Sequence, residues 1–383
     1  MTSARVQVAQ FIGWGKVALM RGVLTGLDVT GLARLMAPRT RGRGVTFTLH
    51  SVDPAMPPHF DPNGILRVTP EFLEQAIAVT RAEGYDIVSL DEAARRLAAA
   101  PGATDRPFAC FTFDDGYLDN RDHAYPVFKR HGVPMAIYVP AAYLDGAGDL
   151  WWLVLEKAIA AAPRLDIDVA GERFRFETAT ADEKTVAFHK VYWALRALPE
   201  REMRAKVQEI ANNAGYDAAH LCRELVMTWD EVRALAADPL VTIAAHTVNH
   251  LAIAKLPAEE ARHEIAESVR RVESELGRAC RHFSFPYGDA TSAGARDFEI
   301  ARSLGLATAV TTHKDVIDAD ADLCGLPRIS LNGNFQKARY VRVFLSGAPF
   351  ALVRFAKRLK AAVRGRGAGL QSGQARPLAG RTA

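Results

Sequence analysis

The chain has 383 residues, 49% of them hydrophobic and 24% charged, and a mean hydropathy of −0.04. These values exclude a collagen-like or intrinsically disordered protein and leave room for a sizeable core. A net charge of +4 does not by itself call for nucleic acid. The four cysteines (Cys110, Cys222, Cys280, Cys324) lie far apart with no Cys-x-x-Cys pair, which excludes a zinc knuckle or disulfide framework and points to a reducing compartment.

Residues 1–44 read as an N-terminal flank of one or two short helices ending in the basic stretch PRTRGRG. Lys16 and Arg21 interrupt the apolar run, so it does not read as a secretory signal. No run of about 18 apolar residues marks a membrane span, and the cytoplasm is the expected compartment. From residue 45, β-branched and aromatic runs alternate with helical stretches. VTFTLH (45–50) reads as a strand and TPEFLEQAIAVTRAEG as a helix capped by Thr69, with Pro70 in its first turn. YDIVSL, the helix DEAARRLAAA, the strand FACFTF, a helix near 119–131 and PMAIYV follow. After an interruption come VTIAAH, a charged helix over 257–276, RHFSFPY, a helix near 291–304, LATAVTT and PRISL. This alternation predicts an α/β fold, a distorted (β/α) barrel of seven or eight parallel strands spanning 45–331, with a doubly wound open sheet as the runner-up. The interruption at about 145–226 reads as a mostly helical insertion at the barrel mouth, with a small hairpin around Ala170-Gly171. Residues 332–383 contain no Asp or Glu and read as a basic C-terminal helix followed by a disordered tail.

Either architecture puts chemistry at the carboxyl ends of strands. His50, Asp114, Asp115, His246 and Tyr287 all fall at or just past such ends. Two adjacent aspartates in TFDDG (112–116) repel one another, and a strand end with an Asp-Gly turn is the ordinary explanation. HTVNH changes the balance. If His246 and His250 lie on one helical turn their rings converge on one ion, and one carboxylate completes a two-His-one-Asp set of hydrolytic type. One aspartate then binds the cation while the other stays free to accept a proton from water. In FSFPYG (283–288), Pro286-Tyr287-Gly288 can bend the chain so that a backbone N–H points into the site and stabilises an oxyanion.

TFDDG, HTVNH and FSFPYG, in this order, resemble the polysaccharide deacetylase family, carbohydrate esterase family 4, over about residues 45–331 without the insertion. The resemblance implies Asp114 as general base, Asp115 with His246 and His250 as metal ligands, and the Tyr287 amide as oxyanion donor. It implies Thr247 as a brace for the histidine-bearing turn. The ion implied is divalent, zinc first, with Co2+ or Fe2+ also accepted. Two features depart from the family. Ser284 occupies the place of the third-motif arginine that pairs with the base, and Arg328 in LPRISL is the candidate substitute. No Leu-x-His follows Tyr287, and His313 lacks that pattern. VTFTLHSVDP instead resembles the opening of circularly permuted members, in which the acid-bearing strand comes first, so His50 is the candidate general acid.

The expected activity is hydrolysis of the N-acetyl group of an amino sugar in an oligosaccharide, polysaccharide or glycolipid precursor. Its rivals are hydrolysis of another small-molecule amide and a catalytically silent carbohydrate binder. The expected partner is an N-acetylated carbohydrate and not nucleic acid. The segment FALVRFAKRLKAAVRGRG (350–367) interleaves apolar and basic residues, suited to peripheral contact at the inner membrane face. Trp151 and Trp152 could stack on sugar rings or anchor the insertion.

Overall fold

A computed structural model describes residues 3–100, 102 and 106–371, with side chains from 15 to 361. Eight strands form one sheet: β1 Gly44–Leu49, β2 Asp86–Ile87, β3 Phe108–Asp114, β4 Met135–Val139, β5 Val241–Ala245, β6 His282–Ser284, β7 Thr308–Val310 and β8 Ile329–Ser330. Their order is β7-β6-β5-β4-β3-β1-β8, with β2 beside the first residues of β3, and every pairing is parallel. Strands linked by helices and paired in parallel are buried on both faces, which is why β1 and β3 are apolar and enclosed along their whole length.

The sheet curls until its ends nearly meet. Leu326 bridges Val310 of β7, and three residues later Ile329 pairs with Phe47 of β1. One short stretch thus spans the gap between the edge strands, giving the distorted barrel rather than a doubly wound open sheet.

The helices follow the capping chemistry of the sequence. Thr69 accepts from the Phe72 amide at the start of Pro70–Ala82, and Ser89 does the same for Leu90–Ala98. The charged helix runs from Ala258 to Leu276 and stops at left-handed Gly277. Between β4 and β5 lie the helices Trp151–Ala161, Ala181–Ala197, Glu200–Asn213 and Leu221–Leu225, with the antiparallel hairpin Arg164–Val169/Glu172–Glu177 turning at Ala170-Gly171.

The flanks are more helical than expected. The first helix, Ser3–Val29, is long rather than short, and a second covers Leu32–Thr40. They pack against Ala338–Leu345 and Ala348–Gln371 at the other end of the chain. The last helix continues into the segment expected to be disordered, and residues 372–383 of that tail lie outside the described residues. No helix among the described residues is long and apolar enough to cross a membrane.

Candidate active site at the carboxyl ends of the strands

β3 ends at Asp114, and the next residue, Asp115, turns into the left-handed region at φ 76°. That reversal aims two neighbouring carboxylates in different directions. Asp114 meets Arg328, which sits in the stretch spanning the barrel gap. The guanidinium donates to both carboxylate oxygens, Nη1 to Oδ1 at 2.8 Å and Nη2 to Oδ2 at 2.7 Å. It also donates to Ser284 Oγ at 2.9 Å and, through Nε, to the Thr311 carbonyl at 2.8 Å. Arg328 is 0% exposed, and a bidentate pair is the geometry that can offset so deep a burial. Burial alone would raise the Asp114 carboxyl, but Arg328, with His246 and His50 nearby, overrides it and holds the group far below the usual carboxylate range.

Asp115 has the opposite surroundings. Its Oδ1 is buried with no hydrogen-bond partner, 3.7 Å from His246 Nε2 and 3.3 Å from His250 Nε2. Burial and the adjacent Asp114 charge push the Asp115 carboxyl well up. Burial also lowers His246 to about 4 and pushes His250 well down, which favours the neutral imidazole at both. His246 Nδ1 lies 2.6 Å from the Ser284 carbonyl, a contact that places the proton on Nδ1 and leaves an Nε2 lone pair facing Asp115. One candidate ligand atom from each of Asp115, His246 and His250 lies within 4.8 Å of the others. Three converging donors, two of them neutral imidazoles and one an orphaned carboxylate oxygen, fit a divalent cation of the zinc type.

The histidines are not on a helical turn. HTVNH is an irregular turn with Thr247 and His250 at φ 61° and 54°, and this backbone makes the rings converge at 4.9 Å between centroids. Thr247 does not brace the turn through its hydroxyl, which is buried without a partner. The brace is Glu264, from the helix Ala258–Leu276, whose carboxylate accepts from the amides of Val248 (2.9 Å) and Asn249 (3.0 Å) and from the Asn249 side chain.

Tyr287 is at φ 60°, and the Gly288 amide donates to the Pro286 carbonyl at 2.7 Å, forming a γ-turn of the strained positive-φ kind. The Tyr287 N–H donates to nothing among the described residues. Gly288 has to be glycine, because a Cβ there would lie 2.6 Å from the Thr312 backbone nitrogen. Of the five non-glycine residues with positive φ among the described residues, four are Asp115, Thr247, His250 and Tyr287. Strain concentrated this way marks a functional site.

The insertion reaches this site from behind. Trp151 Nε1 donates to the Tyr287 hydroxyl at 2.7 Å, the Arg196 guanidinium lies 3.8 Å from the Tyr287 ring centroid, and the Trp152 ring is 5.2 Å from that of His250. Arg204 donates to the carbonyls of Asn249 and His250. Both tryptophans are buried, so they anchor the insertion and offer no stacking face.

His50 follows β1 and is half-buried. Burial lowers its imidazole, partly offset by the Asp114 charge. Its carbonyl accepts from Asn120 Nδ2 at 2.6 Å, and Asn120 also donates to Asp119 Oδ1 at 2.9 Å. Asp119 in turn accepts from Ser51 Oγ at 2.5 Å. Burial raises Asp119 to about 6 against these hydrogen bonds. His313 shows no place in the cluster; its carbonyl accepts from the Arg328 amide.

The sequence model of the polysaccharide deacetylase family matches residues 190–309, which include His246, His250 and Tyr287 but not TFDDG. The chain resembles the polysaccharide deacetylase family. A deacetylase, PplD, of Streptococcus pyogenes has the same fold, with a TM-score of 0.51 at 17% identity over 76% of this chain and 93% of its own. IcaB from Ammonifex degensii aligns at a TM-score of 0.49 and 18% identity over 80% and 98%. No curated protein matches the sequence.

Proposed function

We propose that the chain is a metal-dependent deacetylase that hydrolyses the N-acetyl group of an amino sugar in an oligosaccharide, polysaccharide or glycolipid precursor. The observation that carries this reading is the division between two adjacent carboxylates. Asp114 is an anion paired with Arg328, and Asp115 faces two imidazoles. Asp115, His246 and His250 would hold the ion. A divalent cation there, zinc first with cobalt or iron also suited, supplies Lewis-acid polarisation of the acetyl carbonyl and makes a water more acidic.

The protein groups do the rest. Asp114, held as the anion by Arg328, accepts a proton from the attacking water as the C–O bond forms. The free Tyr287 N–H donates to the carbonyl oxygen as it gains charge. His50, in its protonated form, gives a proton to the sugar nitrogen as the C–N bond breaks, leaving acetate and a free amine. The proton taken up by Asp114 balances the one His50 has lost. In this reading His50 stands where a circularly permuted relative carries its acid, and Arg328 replaces the arginine that Ser284 displaces. The four cysteines are free and buried, which supports the cytoplasm, and the basic helix Ala348–Gln371 gives peripheral contact with a membrane.

The test is acetate release from N-acetylglucosamine oligomers and lipid-linked N-acetyl sugars with added zinc. Release that Asp114→Asn abolishes while zinc remains bound supports the reading. Zinc binding with no release from any of them overturns it and leaves a silent carbohydrate binder, whereas release from formamides or cyclic ureides alone reassigns the substrate.

A further inference from the structure

At the opposite end of the barrel, where β1 and β3 begin, a cavity of about 350 Å3 is lined by Arg39, Arg41, Arg43, Arg96, Arg106 and Asp318. Arg96 pairs with Glu92 at 2.8 Å and with Asp86 at 3.0 Å, and Arg106 pairs with the same Asp86 at 3.3 Å. Arg43 is held by main-chain carbonyls of Arg96 and Ala99 rather than by a carboxylate. Among the described residues, the ion pairs of the pocket arginines are those of Arg96 and Arg106, and none involves Arg39, Arg41 or Arg43. A concave site with this excess of guanidinium groups matches a phosphate, whose oxygens take paired N–H donors.

The surface beside it is apolar. Of the large hydrophobic side chains exposed among the described residues, all but Met56, Ile65 and Trp193 lie on the helices Ser3–Val29, Leu32–Thr40 and Ala348–Gln371. These helices pack on one another. Leu35, 74% exposed, is one helical turn from the pocket residue Arg39. Leu352, Phe355 and Leu359 are exposed at helical spacing next to Lys357, Arg358 and Lys360. The three helices carry eleven lysines and arginines against one acidic residue, Asp28, so the rest of a chain that nets +4 is acidic. Asp28 is itself paired with Arg342.

We propose that the arginine pocket and the three terminal helices form one docking face for a bilayer, with the phosphate of an anionic phospholipid seated in the pocket and the exposed apolar side chains among the acyl chains. Apolar side chains ringed by unneutralised basic ones bind anionic lipid surfaces. The proposal extends the membrane contact given above from one helix to a built site, and it rests on none of the catalytic chemistry.

Co-sedimentation of the full chain with phosphatidylcholine vesicles, with and without about one third phosphatidylglycerol, tests it. Binding to the anionic vesicles is expected to be at least about a hundredfold stronger and to fall with salt. Arg39→Gln with Arg41→Gln weakens that binding about twenty-five-fold, about fivefold for each arginine. Leu35→Ser with Phe355→Ser weakens it about tenfold or more and leaves the salt dependence in place. Far-UV circular dichroism checks that the variants fold, and the salt series on the unaltered protein decides if they do not. Equal binding to both vesicle types, no binding to either, saturable uptake of inorganic phosphate without vesicle binding, or a dimer broken by the Leu35/Phe355 change without vesicle binding would each overturn it. Asp114→Asn binds vesicles like the unaltered protein, so loss of the deacetylase reading leaves this one standing.

Discussion

The two halves of the active site are built on opposite terms. On the base side, Asp114, Arg328, Ser284 and Thr311 satisfy one another at 2.7–2.9 Å. On the histidine side, Asp115 Oδ1, Thr247 Oγ1 and His250 Nδ1 are buried without partners, and the backbone is left-handed at Asp115, Thr247 and His250. Unpaired buried groups cost about 1–3 kcal/mol each. The first half is complete in the protein alone, and the second leaves Asp115 Oδ1 for a cation to satisfy. Catalysis and ion binding should therefore be separable by substitution, although Asp114 and Asp115 are neighbours in the chain.

The sharpest way to break this contrast is Asp114→Asn, which should lower kcat by about a thousandfold or more with zinc stoichiometry unchanged; parallel loss of zinc would merge the two halves. Arg328→Met leaves Asp114 buried and unpaired, a cost of about 3–5 kcal/mol in denaturant unfolding. Stripping the ion with a chelator abolishes acetate release until zinc is restored. Zinc at about 100 times its Kd adds about 2.7 kcal/mol to the stability of the unaltered protein and of Asp114→Asn, but not of His250→Ala. Trp151→Phe removes the hydrogen bond to the Tyr287 hydroxyl and should reduce kcat about tenfold with KM little changed, because the oxyanion donor loosens while zinc stays bound.

The smallest effect is a pH dependence. Asp119 has its pKa raised to about 6 from 3.8, so the native state holds a proton that the unfolded chain has released. Its contribution is fully present below about pH 4 and is lost as pH rises towards 6. Relative to Asp119→Asn, the unaltered protein should lose about 1 kcal/mol across that window, a figure reduced for the partial exposure of the group. A flat difference in unfolding free energy between pH 4 and 6 would remove Asp119 from the His50 support.

Much of this was readable in the chain because it is local. The paired aspartates, the two histidines and the Pro-Tyr-Gly bend are each set within five residues, and strand–helix alternation is a short-range signal. Arg328 could be picked out only because Ser284 left a positive charge missing. The wrong guess, a helical turn for HTVNH, came from spacing alone: four residues apart fits a helix, but a turn with two left-handed residues brings the rings together as well. The groups that escaped sequence reading act across long separations. Glu264 grips the turn from a following helix and Arg196 holds Tyr287 from more than 90 residues away, and nothing in their neighbours distinguishes them from core or surface residues. Trp151 reads from the sequence as a stacking ring or an anchor of the insertion, but not as the donor to the Tyr287 hydroxyl. Asn120 had one faint signal, its position just past the DDG in a π-helical turn, a form often found at functional sites.

The place of Arg328 has a consequence for how activity appears as the chain is made. The counter-charge for the proposed base lies immediately before β8, the last strand of the sheet in chain order, 214 residues after Asp114. Until that strand docks, the aspartate has no cationic neighbour of comparable strength, and the barrel is still open along the same line. If Asp114 is the base, closure of the barrel and arming of the site are one event, and a chain cut before residue 328 is expected to release no acetate even with all three sequence motifs in place.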